Sequence, residues 1–128
     1  MVSQITEGIK IMVETFYQAE ESNAIYSDFL FAYRISIENL SEHPVKLLNR
    51  RWEIFDSVGF KKEVAGPGVV GEQPVLEPRE IYRYVSACQL KSEIGKMTGR
   101  YQFQDKYNNR LFDVIIPTFE LIVPAKLN

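Results

Sequence analysis

Between Phe29 and Glu38 the chain alternates without a break: Phe29, Phe31, Tyr33, Ile35 and Ile37 are aromatic or aliphatic, with Leu30, Ala32, Arg34, Ser36 and Glu38 between them. Successive side chains of a strand point to opposite faces, so this run predicts a strand with one face in a core and the other mostly in water. The same period appears in Ile9, Ile11 and Val13, with Lys10 and Glu14 opposite. It appears again in Ile81, Val85 and Ala87, which predicts that these three also face the core. No long segment carries the 3.6-residue apolar stripe of a packed helix.

Turn chemistry separates the runs. It lies at Asn39 to Pro44, at Ser57 to Gly59, in the Gly/Pro stretch from Gly66 to Gly71, and at Asn108-Asn109, where tolerance of positive φ predicts a hairpin. The reading gives about seven strands, over 8–18, 29–40, 45–58, 62–65, 79–88, 97–107 and 110–123. Strands of this kind without intervening helices predict an all-β antiparallel sandwich or barrel. The string LEPREIY favours the sandwich. Leu76, Pro78 and Tyr82 stand at the spacing of the corner in fibronectin type III modules, where the tyrosine hydroxyl bonds back to the corner backbone.

At 128 residues the chain is read as a single domain, 1–128, large enough to bury a core unaided. A net charge of −2 gives no general attraction to nucleic acid or anionic lipid. No window approaches the length of a membrane helix, so no membrane insertion is expected. Cys88 is the only thiol, which agrees with a reducing compartment and predicts a cytoplasmic protein.

Gly66, Gly68 and Gly71 fall at G-x-G-x-x-G spacing, but Pro74 and Pro78 follow too soon for the helix that a dinucleotide-binding loop requires. The loop has two readings. Its glycines let successive N–H groups converge on an anion such as phosphate, or they let a long connection turn beside a neighbouring strand. Arg50, Arg51 and Trp52 lie within one strand, so the two arginines point to opposite faces, and Trp52 is read as core. Arg50 is the candidate to support an anion at the glycine loop.

Catalytic sets are missing from the sequence. His43, the only histidine, and Cys88, read as a small hydrophobe, have no evident companions, so no catalytic residue and no soft-ligand metal site is expected. The acids are scattered without calcium-loop spacing, although an all-oxygen magnesium site stays open.

Four strings together resemble the bacterial ApaG family over most of the chain: FAYRISIENLSEHPVKLLNRRWEIFD, GPGVVGEQPVLEPREIYRY, GKMTGRYQF and FDVIIPTFEL. The resemblance implies a fibronectin type III-like (immunoglobulin-like) sandwich and a link to cobalt and magnesium efflux or resistance. It also implies a pyrophosphate or Mg²⁺-phosphate ligand at Gly66, Gly68 and Gly71. Related domains in larger eukaryotic proteins look like protein-interaction modules. The chain departs from the family at Arg51, commonly histidine in an R-H-W string, and at Pro67, usually acidic or another residue. The expected function is a non-enzymatic module acting through a protein partner, with homo-oligomers open; the alternative is a pyrophosphate or nucleotide sensor at 66–71.

Overall fold

The computed structural model describes residues 1–124. The last four residues of the predicted 1–128 domain lie outside the described residues. Nine strands run β1 (Val2–Thr6), β2 (Ile9–Tyr17), β3 (Phe29–Asn39), β4 (Val45–Asp56), β5 (Phe60–Pro67), β6 (Val75–Leu76), β7 (Ile81–Leu90), β8 (Ile94–Asp105) and β9 (Leu111–Ile122). A short 3-10 turn lies at Ala24–Tyr26. All ladders are antiparallel, in one sheet ordered β1-β2-β3-β7 and a second ordered β5-β4-β8-β9, with β6 attached to β4. The protein is the predicted β-sandwich.

The alternation explains the packing. Phe29, Phe31, Tyr33, Ile35 and Ile37 of β3 and Ile9, Ile11 and Val13 of β2 are buried. They meet Trp52, Met97, Tyr101, Phe103, Val114, Ile116 and Phe119 from the other sheet in one core. Trp52 stands edge-on to Tyr33, Phe119 and Tyr101, with centroids 5.7, 5.9 and 6.4 Å away, and so joins three strands across the sandwich. Burying each of these large side chains contributes about 1.5–3 kcal/mol.

Asn39 is fully buried where the chain leaves β3, and it is fully satisfied. Its Nδ2 donates to the carbonyls of His43 and Leu76 at 2.8 and 3.0 Å, while its Oδ1 accepts from the Ser41 N–H at 2.9 Å. The β8–β9 hairpin turns as expected, with Asn109 at φ 60°.

Several expectations need correction. Two strands were not foreseen: β1, whose residues are almost all exposed, and β6, which is two residues long. In β7 the predicted faces are inverted. Ile81, Val85 and Ala87 are exposed, and the inward side belongs to Tyr82, Tyr84, Ser86, Cys88 and Leu90. Tyr82 is not a tyrosine corner in the fibronectin sense, because its hydroxyl donates to the Glu72 carboxylate at 2.9 Å rather than to corner backbone.

Candidate binding site

Arg50 and Trp52 project from the inner face of β4, while Arg51 between them is exposed, as alternation requires. The Arg50 guanidinium lies over Gly66, where an added Cβ would stand 3.3 Å from its Nη1. From there Nη1 donates to the carbonyls of Pro67 and Gly68 at 2.8 and 3.0 Å.

The structure therefore brings Arg50, Gly66 and Gly68 together, and the loop presents carbonyl oxygens to the arginine. Most of the loop amides are engaged as well. Gly68 N–H donates to Leu48 O at 2.8 Å, and Val69 and Glu72 exchange both of their bonds at 2.8 and 3.0 Å. Between that pair, Val70 and Gly71 both have positive φ, 46° and 79°, the signature of a type I′ turn. Gly68 is irreplaceable in this geometry: its φ is +61°, and a Cβ would stand 2.1 Å from the Glu72 carbonyl oxygen. Gly71 has open space around it and takes no part in Arg50's hydrogen bonds. No helix follows it; the chain runs on to β6.

The larger concavity lies beside this knot. Between the edges of β5 and β7 a cavity of about 650 Å³ opens, floored by Tyr33, Trp52 and Tyr84 and walled by Arg50, Lys62 and Cys88, among others. The Tyr84 and Tyr101 hydroxyls hydrogen-bond to each other at its base. Burial pushes the ionisation of Tyr33, Tyr84 and Tyr101 upward, and the charge of Arg50 pulls weakly the other way in all three. Burial likewise pushes the Cys88 thiol up to about 11, against a weaker pull from Lys62, so at neutral pH it is a protonated apolar group.

His43 has a companion that the sequence did not reveal. Its Nδ1 lies 2.7 Å from Asp105 Oδ2, and its ring stacks on Tyr107 at 4.7 Å. The His43 bond, followed by the amides of Tyr107 and Asn108, holds the Asp105 carboxyl below the ordinary carboxylate value. His43 follows the end of β3 whereas Cys88 pairs with Phe31 near its start, so the two sit at opposite ends of the sandwich. Among the described residues no group of three or more His, Cys, Asp or Glu is placed to hold a metal ion.

Sequence reasoning found Arg50 and Trp52 but missed Tyr33, Tyr84, Lys62 and Cys88 as lining residues. The available signal was the run Tyr82, Tyr84, Ser86, Cys88, in which polar-tipped side chains recur on one face of a strand.

A family model for the ApaG domain matches residues 19–105, which span β3 to β8 and the whole glycine loop. The chain belongs to the ApaG family. It is 44% identical over 126 residues to Protein ApaG of Brucella anthropi, covering 98% of this chain and 96% of the relative. It is 43% identical over 124 residues to Protein ApaG of Paramagnetospirillum magneticum, covering 97% and 95%. The fold is similar to the crystal structure of the putative ApaA protein from Bordetella pertussis, with a TM-score of 0.88 at 37% identity over 91% of this chain and 94% of that one. The groove and the arginine-filled glycine loop of this chain lie within the matched residues. No helix among the described residues is long and apolar enough to cross a membrane.

Proposed function

We propose that this chain is a cytoplasmic, non-enzymatic binding module that acts through a protein partner, and that the partner is held at the open flank between β5 and β7. The observation that carries this reading is the contrast in coverage. The cavity of about 650 Å³ is lined by aromatic, aliphatic and cationic side chains and lies between the edges of β5 and β7, which pair with no further strand among the described residues. Catalysis finds less support, because the only thiol is pushed to about 11 and the only imidazole is bound to Asp105 at the far end. The cobalt and magnesium link that the family resemblance implies would then be exerted by the partner.

A second reading keeps pyrophosphate or a Mg²⁺-phosphate at the glycine loop. It rests on the amides of Val70 and Gly71, which are left without partners among the described residues, and on the Arg50 donors not spent on Pro67 and Gly68.

The test is capture from a cell extract by the wild-type chain and by Lys62→Glu and Val64→Asp, both on the inner side of β5, where Lys62 is exposed and Val64 half-buried. A partner recovered by the wild type and lost from both variants supports the reading, and identical recovery overturns it. Thermal unfolding against pyrophosphate, with and without magnesium or cobalt, tests the alternative. A ligand at a hundredfold its dissociation constant adds about 2.7 kcal/mol, so an unmoved midpoint removes the sensor.

A further inference from the structure

We propose that the edge of β7 accepts an extended acidic segment of a protein partner by strand addition, so that the segment becomes the next strand of the β1-β2-β3-β7 sheet. This rests on the reading of the open flank as the partner site.

The backbone supplies the first argument. Asn39 N–H donates to Glu80 O at 3.0 Å and Arg79 N–H to Asn39 O at 2.7 Å, which fixes the phase of the β3–β7 ladder. Counting on by twos through the register 37↔82, 35↔84, 33↔86 and 31↔88, Tyr82, Tyr84, Ser86 and Cys88 spend their N–H and C=O groups on β3. Arg83, Val85 and Ala87 turn theirs outward, and β7 pairs with no other strand among the described residues.

The two edges of this flank are guarded unequally. On β5, Lys61 bridges Glu53 and Glu63, and the strand ends at Pro67, features that discourage pairing. The outer face of β7 carries one charged residue, Arg83, beside Val85 and Ala87, it has no proline, and Val85 is 58% exposed.

The third argument is missing cover. A strand added beside β7 would lie about 4.8 Å away in its sheet and about 10 Å above the other sheet. That position faces the inner side of β5, where Phe60 is 67% exposed and Lys62 is exposed.

Charge selects the occupant. Arg50, Lys62 and Lys91 line the cavity, and among the described residues none has a carboxylate within ion-pair distance. The acid there, Asp56, is already engaged by the N–H of Lys91 at 2.6 Å, the N–H of Val58 at 3.3 Å and the Ser92 hydroxyl. A second copy paired through β7 would bring the sequence IYRYVSACQL, which has no carboxylate to offer these cations. An extended acidic segment with alternating aliphatic residues turns its carboxylates toward the cations of the cavity and sets its aliphatic side chains beside Val85 and Ala87 on the outer face of β7.

The probe is the peptide acetyl-Thr-Val-Glu-Val-Glu-Val-Thr-amide, with a lysine-for-glutamate version as its counterpart, titrated into the full chain. Expected are shifts and slowed exchange at the amides of Arg83, Val85 and Ala87, a change in emission of Trp52, and at least tenfold weaker binding of the lysine peptide. Ala87→Pro removes an outward donor and no ladder bond, so it should fold and bind at least tenfold more weakly. If it does not fold, Val85→Lys serves, since an edge lysine blocks pairing without touching the backbone. Unmoved amides at 83–87, or equal binding by the blocked variant, overturn strand addition. So does a dimer that the blocked variant dissolves, because the occupant is then a second copy. A captured partner sensitive to Lys62→Glu but indifferent to Ala87→Pro sinks strand addition and leaves the flank as partner site; indifference to both sinks the two together.

Discussion

The two flanks of this sandwich face the same physical problem, a pair of sheet edges that must not be left raw, and they solve it differently. On one side β1 folds back on β2 through the Glu7-Gly8 turn and packs along β9. There Thr6 Oγ1 accepts from the Ile115 N–H at 3.3 Å and Arg110 reaches Glu7 at 2.8 Å. That flank is stitched shut. On the other side β5 and β7 stand apart over a cavity floored by tyrosines and rimmed by cations. Closure costs the chain only a short exposed hairpin, so the open side is not a consequence of lacking residues. The difference teaches where to look for function: at the edge pair that the described residues leave uncovered.

The largest effect expected in testing this contrast comes from its shared floor. Trp52→Ala removes the ring that spans the core beneath the open flank and should cost about 3–5 kcal/mol, read as a lowered denaturant midpoint. A loss under 1 kcal/mol would mean that the floor is loosely packed. Next, deleting residues 1–6 converts the closed flank into an open one. It should lower stability by about 2 kcal/mol, at roughly 4 °C in Tm per kcal/mol for a domain of this size, and it should promote self-association in sedimentation. A monomer of unchanged Tm would show that β1 covers nothing of consequence.

The third effect is alkaline. Tyr33, Tyr84 and Tyr101 have ionisations raised in the folded state. The native chain therefore holds their protons more tightly than the unfolded chain, whose tyrosines titrate near 10. Their contribution is complete below pH 10 and is lost as the pH climbs beyond it. Denaturant midpoints from pH 8 to 12 should fall above pH 10, and fall less steeply in the Tyr84→Phe/Tyr101→Phe double variant. The smallest effect lies away from both flanks. Asp105 is held below its ordinary value, so its contribution is complete above about pH 4 and fades as the pH drops further. Asp105→Asn should flatten the acid limb of the Tm profile and leave the alkaline limb untouched.

The closed core was legible in the sequence because burial there is symmetrical: Phe29 to Ile37 and Ile9 to Val13 face a dry interior, and their alternation says so. The open flank was not. In β7 the aliphatic residues Ile81, Val85 and Ala87 face water, and the inward positions carry Tyr, Ser and Cys because they line a groove rather than a sealed core. A rule that sends aliphatic residues inward then assigns the wrong face. β1 escaped notice because an exposed cover strand needs no apolar face, and β6 because two residues show no period. The predicted loop at 66–71 begins within β5, which holds Gly66 and Pro67, and the structure sets Arg50 beside Gly66 and Gly68. What residue types do not encode is which way a carbonyl points, and here the carbonyls of Pro67 and Gly68 turn toward the guanidinium.

The stitch between β1 and β9 also governs assembly. Glu7 and Arg110 are 103 residues apart in the chain, and Thr6 and Ile115 are 109 apart. During synthesis the β1–β2 hairpin therefore stays uncovered until β9 has left the ribosome. Its closure is a long-distance step, slow relative to local pairing, and it leaves a nascent chain exposed in the interval.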